Sequence, residues 1–159
     1  MRNAMDALYR LCAFVAGAAL VLISLVSPWG VYTRYVLNRA APWPEPMAIL
    51  LTVILTFIGA AICYRADAHM RVSVLVRLLP PGWQRPVELF AEALTGLLSL
   101  FMVVWGIGLV GTTWHQSVAE FPALSVGVTY LPIPIGGAIT LVFVVERVLI
   151  GRPPHIALD

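Results

Sequence analysis

Gly59-Ala60-Ala61-Ile62-Cys63-Tyr64-Arg65-Ala66-Asp67-Ala68-His69-Met70-Arg71 carries a long uncharged run straight into a cluster of charge. A membrane boundary selects such a junction. Small side chains let a second helix approach within the hydrocarbon, and arginine, aspartate and histidine suit the layer where hydrocarbon gives way to headgroups and water. Two long apolar segments lie on either side of it, so the stretch divides the chain into halves of two spans each.

Composition agrees. Of 159 residues, 60% are hydrophobic and 11% are charged, against about 25% charged in a soluble domain. The fold expected is an all-α integral membrane protein, a single membrane domain over residues 1–159 with four transmembrane helices and short interfacial segments. The basic residues are all arginine and the net charge is only +2, which leaves no basic face for nucleic acid. Cys12 and Cys63 stand singly inside apolar segments and read as small hydrophobes, with no second ligand or CxxC partner for metal or redox chemistry.

Before the junction, Leu11–Tyr32 is a 22-residue uncharged run, enough to cross a hydrocarbon layer of about 30 Å at about 1.5 Å per residue. It is too long for the apolar core of a cleaved signal peptide and is expected to be retained. Pro28 should kink its last turns, and Trp29, Tyr32 and Tyr35 suit the aromatic belt. The connector from Arg34 holds Pro42, Pro44 and Pro46 at alternate positions and must turn at the surface, with Glu45 beside the positive end of the next helix. That second span is expected at about 47–64.

Beyond the junction, about 70–80 is apolar but too short to cross, and is expected to be an interfacial segment ended by Pro80-Pro81-Gly82. The third span is expected at about 93–114, its Gly96, Gly106, Gly108 and Gly111 allowing close helix packing. The fourth, about 126–145, should have a bent or broken start around Tyr130–Gly137, where Pro132, Pro134 and a glycine pair fall together. Eight arginines (2, 10, 65, 71, 77, 85, 147 and 152) belong to the termini and the middle loop, against Arg34 and Arg39 in the first connector and none in the third. The positive-inside rule then places both termini in the cytoplasm.

Chemistry is harder to find. His69, His115 and His155 lie near segment ends, and His115 falls on the opposite side from the other two, so paired haem ligands are not expected. Exposed cysteine pairs for a quinone-linked disulfide oxidoreductase, a phosphate loop, HExxH and GxSxG are all missing from the sequence. No ionisable residue falls in mid-span, where a self-sufficient ion or anion carrier would need one. Arg65 and His69 share a helical face if the second helix continues. They are either a lipid-facing cluster or a docking face, for a partner or for a turn within the chain. Trp43 and Glu45 pose the same alternatives.

Arg34-Tyr35-x-x-Asn38, Trp43-x-Glu45, Gly59-Ala60-Ala61-x-x-x-Arg65-x-x-x-His69, Leu79-Pro80 and Tyr130-x-x-x-Pro134-x-Gly136-Gly137, in that order around four spans, resemble the small membrane subunit (DctQ type) of tripartite ATP-independent periplasmic (TRAP) transporters. The resemblance covers about Leu11 to Ile150. The chain departs from the pattern at Pro44-Glu45-Pro46, where the family often has two adjacent acidic residues, and near Ser73, where an acidic residue is common.

The resemblance implies a scaffold subunit in a bacterial inner membrane. Its partners would be a large carrier subunit, which takes up an organic anion such as a carboxylate with sodium, a periplasmic substrate-binding protein and membrane lipids. It implies no cofactor, no enzymatic activity and no substrate site in this chain. Arg34, Trp43, Glu45, Arg65, His69 and Arg71 are the candidate partner contacts. The competing expectations are a small four-span accessory subunit of a tricarboxylate-type tripartite carrier, which would not carry the Arg65/His69 and Trp43/Glu45 elements, and a membrane enzyme.

Overall fold

The computed structural model describes residues 2–39, 41–66, 81–118 and 121–150. Along the chain these form α1 (Arg2–Tyr35), α2 (Pro44–Arg65), α3 (Pro81–Thr113), a hairpin of β1 (Ser117–Val118) and β2 (Phe121–Ser125), α4 (Val126–Tyr130) and α5 (Pro132–Ile150). Among the described residues four stretches are long and apolar enough to cross a membrane: Ala4–Tyr35, Pro44–Arg65, Gly82–Thr113 and Val126–Leu149. The shortest has 22 residues, about 33 Å of helix, and so matches the hydrocarbon thickness. The chain is a multi-pass, all-α membrane protein.

The helices extend past the apolar runs. α1 starts at Arg2 and α3 at Pro81, so Asp6, Arg10, Glu88 and Glu92 are helical residues near the ends of spans. Hydrocarbon limits where charge can sit, whereas backbone hydrogen bonding can continue into the headgroups. α1 also continues as one helix through Pro28. The fourth span is less broken than expected: only Leu131 separates α4 from α5, and it keeps helical angles (φ −51°, ψ −37°). Its N–H donates to the carbonyl of Gly127 at 3.2 Å, and its own carbonyl accepts from Ile135 N–H at 3.2 Å. Pro132 and Pro134 fall in the first turn of α5, where the lost N–H groups cost least.

The turns are locally encoded. Asn38 adopts φ 48°, a left-handed conformation that asparagine tolerates better than most residues, and there the chain leaves α1. Pro44 and Pro46 open α2 at positions that need no N–H, and its first helical bond runs from Met47 N–H to the carbonyl of Trp43 at 3.2 Å. The hairpin is an element that span counting did not foresee; it pairs Ser117 with Ser125 and Val118 with Phe121 across an irregular register. Ser125 caps α4 by accepting from Gly127 N–H at 3.1 Å and donates its hydroxyl proton to the carbonyl of Trp114. The expected interfacial segment at about 70–80, with its Leu79-Pro80 end, lies outside the described residues.

Packing runs α1–α2–α5–α3. On α1 the seam is Tyr9, Cys12, Ala16 and Ala19, all buried and spaced three and four apart, while Phe14, Leu25, Phe101 and Trp105 of α1 and α3 are exposed as lipid requires. Close approach depends on fewer small residues than the sequence offers. Ala61 is fully buried, whereas Gly59, Gly108 and Gly111 face open space. The tightest contacts are on α5: a Cβ on Gly136 would stand 2.8 Å from the carbonyl oxygen of Phe57, and one on Gly137 would stand 2.9 Å from Cβ of Met102. Gly106 faces Pro134 in the same way at 3.0 Å.

Substituting Gly136→Ala or Gly137→Ala should therefore push α5 off α2 or α3 and destabilise the protein by about 1–3 kcal/mol, read as a lower melting temperature in detergent. Gly108→Ala should be nearly silent. Equal melting of all three variants would show that these approaches do not hold the bundle.

Candidate functional site

Four antiparallel spans bring the start of α1, the end of α2, the first turns of α3 and the end of α5 to one end of the bundle. There Arg65, 5% exposed, lies among carboxylates. Its Nε and Nη2 donate to the two oxygens of Glu146 at 3.0 and 3.1 Å, a two-point contact that the planar guanidinium suits. Nη2 also donates to Asp6 Oδ1 at 2.7 Å. The guanidinium carbon lies 5.5 Å from the ring centre of Tyr9 and 5.2 Å from that of Phe143, so aromatic faces shield the cation. Among the described residues Nη1 has no hydrogen-bond partner.

A second pair adjoins the first. Arg147 Nε is 2.9 Å from Glu92 Oε1, at ion-pair distance but off the line of a hydrogen bond, and its guanidinium lies 5.5 Å from the ring centre of Tyr64. Asp6, Arg65, Glu92, Glu146 and Arg147 thus join α1, α2, α3 and α5. Among the described residues no group of three or more His, Cys, Asp or Glu is placed to hold a metal. Several hydroxyls within the spans bond to their own helices: Thr56 donates to the Thr52 carbonyl at 2.7 Å, Ser99 to Thr95 at 2.8 Å and Thr140 to Gly136 at 2.8 Å.

At the opposite end, α1 and α2 part around an open cleft of about 770 Å³. Arg34 and Glu45 are its charged lining residues, and Val26, Val31, Ile49 and Val53 are among the apolar ones. Trp43 is exposed at the N-cap of α2 nearby. The candidates named from sequence therefore separate. Arg34, Trp43 and Glu45 share the open end; Arg65 faces partners within its own chain; His69 and Arg71 lie outside the described residues.

Sequence reasoning missed Asp6, Glu92, Glu146 and Arg147 as partners. The signal was available in topology, since four alternating spans place residues 6, 65, 92 and 146–147 in one layer, with opposite charges beside one another.

Removing Arg65 leaves the buried Glu146 without its guanidinium, whereas removing Glu146 leaves Arg65 with Asp6. Arg65→Leu should cost about 3–5 kcal/mol and Glu146→Leu less, and the double variant should recover most of the Arg65→Leu loss. Arg65→Lys should cost about 1–3 kcal/mol, because lysine loses the two-point geometry. Thermal unfolding of the purified chain measures all four. Additive losses in the double variant would mean that the two residues are not coupled.

Comparison with known proteins agrees with this architecture. The family described as tripartite ATP-independent periplasmic transporters, DctQ component, matches residues 23–151. A small permease protein assigned to a TRAP transporter in Haemophilus influenzae is 25% identical over 130 residues, covering 82% of this chain and 80% of that protein. The sialic acid TRAP transporter small permease protein SiaQ of Vibrio cholerae is 26% identical over 78% of this chain and 69% of its own. The ectoine TRAP transporter small permease protein TeaB of Halomonas elongata is 23% identical over 82% and 68%. With most of its length matched and four apolar helices to carry the match, this chain belongs to the DctQ component family, as a small membrane subunit of a TRAP transporter.

Proposed function

We propose that the chain is a fixed scaffold subunit that holds a large carrier subunit in the inner membrane. The carrier would move an organic carboxylate with sodium after a periplasmic binding protein delivers it. The observation that carries this reading is the disposition of charge. Among the described residues, the buried ionic groups gather at one end and face one another across four helices, while Thr56, Ser99 and Thr140 within the spans bond to their own backbones. A transport site needs polar groups turned toward a pathway; a scaffold needs a rigid body with apolar outer faces. The substrates in the relatives' names, sialic acid and ectoine, both carry a carboxylate, which supports the substrate class.

Contact with the large subunit is proposed for Trp43, which is exposed beside the open end, and for His69 and Arg71, whereas Arg34 and Glu45, exposed at the same end, are left to membrane lipid. For Arg65 the contact would be indirect, through the helix ends it holds in register. Both termini would lie in the cytoplasm, with the ion-pair cluster on that side, a reading the arginine count supports.

The chain alone should give no sodium-dependent uptake in proteoliposomes, and co-expression with the large subunit should give a complex that copurifies and transports when the binding protein is added. Uptake by the chain alone would overturn the scaffold role. A reporter fused after Asp159 should be active only in the cytoplasm; activity confined to the periplasm would reverse the orientation.

A further inference from the structure

The cleft between α1 and α2 has a polar end and an apolar length. Arg34 and Glu45 line it where α1 finishes and α2 begins, and among the described residues they form no ion pair with each other. Val31 and Val26 on α1 and Ile49 and Val53 on α2 continue the lining toward the middle of the spans. From Glu45 to Val53 α2 rises about 12 Å. Trp29, Tyr32, Tyr35 and Trp43 are exposed around this end, as side chains at headgroup depth are. A cation and an anion at one end, with hydrocarbon beyond them, match the layout of an amphiphile. An apolar partner helix would leave both charges uncompensated.

We propose that this cleft binds one phospholipid with a primary ammonium headgroup. Arg34 pairs with its phosphate, Glu45 accepts from its ammonium, and one acyl chain lies along Val26, Ile49 and Val53. The volume of about 770 Å³ is within the usual range for small-molecule sites, about 300–1,000 Å³, and suits a headgroup with part of one chain. Glu45 selects the headgroup, because a carboxylate favours an ammonium and repels a lipid of net negative charge.

The test is native mass spectrometry of the full chain, delipidated in detergent and titrated separately with phosphatidylethanolamine and phosphatidylglycerol. One phosphatidylethanolamine should bind per chain, in preference to phosphatidylglycerol. Arg34→Gln should weaken both lipids about tenfold, the size of one charge-assisted bond, and Arg34→Lys should restore most of the loss because lysine also binds phosphate as a point charge. Glu45→Gln should weaken phosphatidylethanolamine about tenfold and leave phosphatidylglycerol unchanged or tighter. Both side chains are exposed, so melting temperatures should not change. Equal affinity for the two lipids in the unaltered chain, or phosphatidylethanolamine binding indifferent to both Gln substitutions, would overturn the proposal. Unchanged lipid binding combined with loss of the copurifying large subunit would assign the cleft to a protein instead.

Discussion

A guanidinium cannot be left alone at the edge of hydrocarbon, and Arg65 is 95% covered. Its charge must be answered by carboxylates that the chain supplies from 59 residues before it and 81 residues after it. Meeting that requirement sets the relative height of α1, α2 and α5, because a shift of one helical turn, about 5.4 Å, would separate the pairs. The Arg147–Glu92 contact extends the constraint to α3. Most contacts in the bundle are apolar and have nearly the same energy against lipid as against one another. Such contacts fill space but select a register poorly, so the ionic cluster supplies the selectivity.

Much of the architecture was legible before any coordinates. Uncharged runs of sufficient length mark spans because hydrocarbon excludes charge, a constraint that acts residue by residue. The pairing of helices is different in kind. Arg65 shows in the sequence as a boundary residue, and nothing local distinguishes a guanidinium that faces lipid phosphate from one that faces Glu146. Gly59 and Gly136 pose the same difficulty: each is a glycine in an apolar run, and only the second lies against a neighbouring backbone. Pro28 and Pro132 were legible as helix disruptors, but an interruption is absorbed where a first turn or a neighbouring helix tolerates the missing N–H. The hairpin went unforeseen because two short strands in a connector leave no periodic signature.

The two ends of the bundle are built on different principles. At the Arg65 end, Arg65, Glu146 and Arg147 face inward and hold helices together; at the Asn38 end, Arg34 and Glu45 face outward, around an open cleft. Val118, Phe121 and Leu124 of the hairpin line a small, mostly apolar cavity together with Pro46, Met47 and Leu50 at the start of α2. The second end is thus shaped by backbone turns around apolar side chains, and its charges remain available for whatever the membrane or a partner presents.

The ionic cluster also bears on how the protein is made. A chain synthesised from its N-terminus presents Asp6 and Arg65 to the membrane before Glu92, and Glu146 comes last. Until the fourth span is inserted, Arg65 is paired with Asp6 alone and lacks the two-point contact to Glu146, so the α1–α2 hairpin waits with its cluster part-built. Arrival of Glu146 and Arg147 closes both pairs with the same turn of helix. Assembly of the network therefore waits for the last span, and a product that stops short of residue 146 keeps Arg65 on the single carboxylate of Asp6 and leaves the Arg147–Glu92 contact unmade, the kind of defect by which membrane quality control can tell a fragment from a finished subunit.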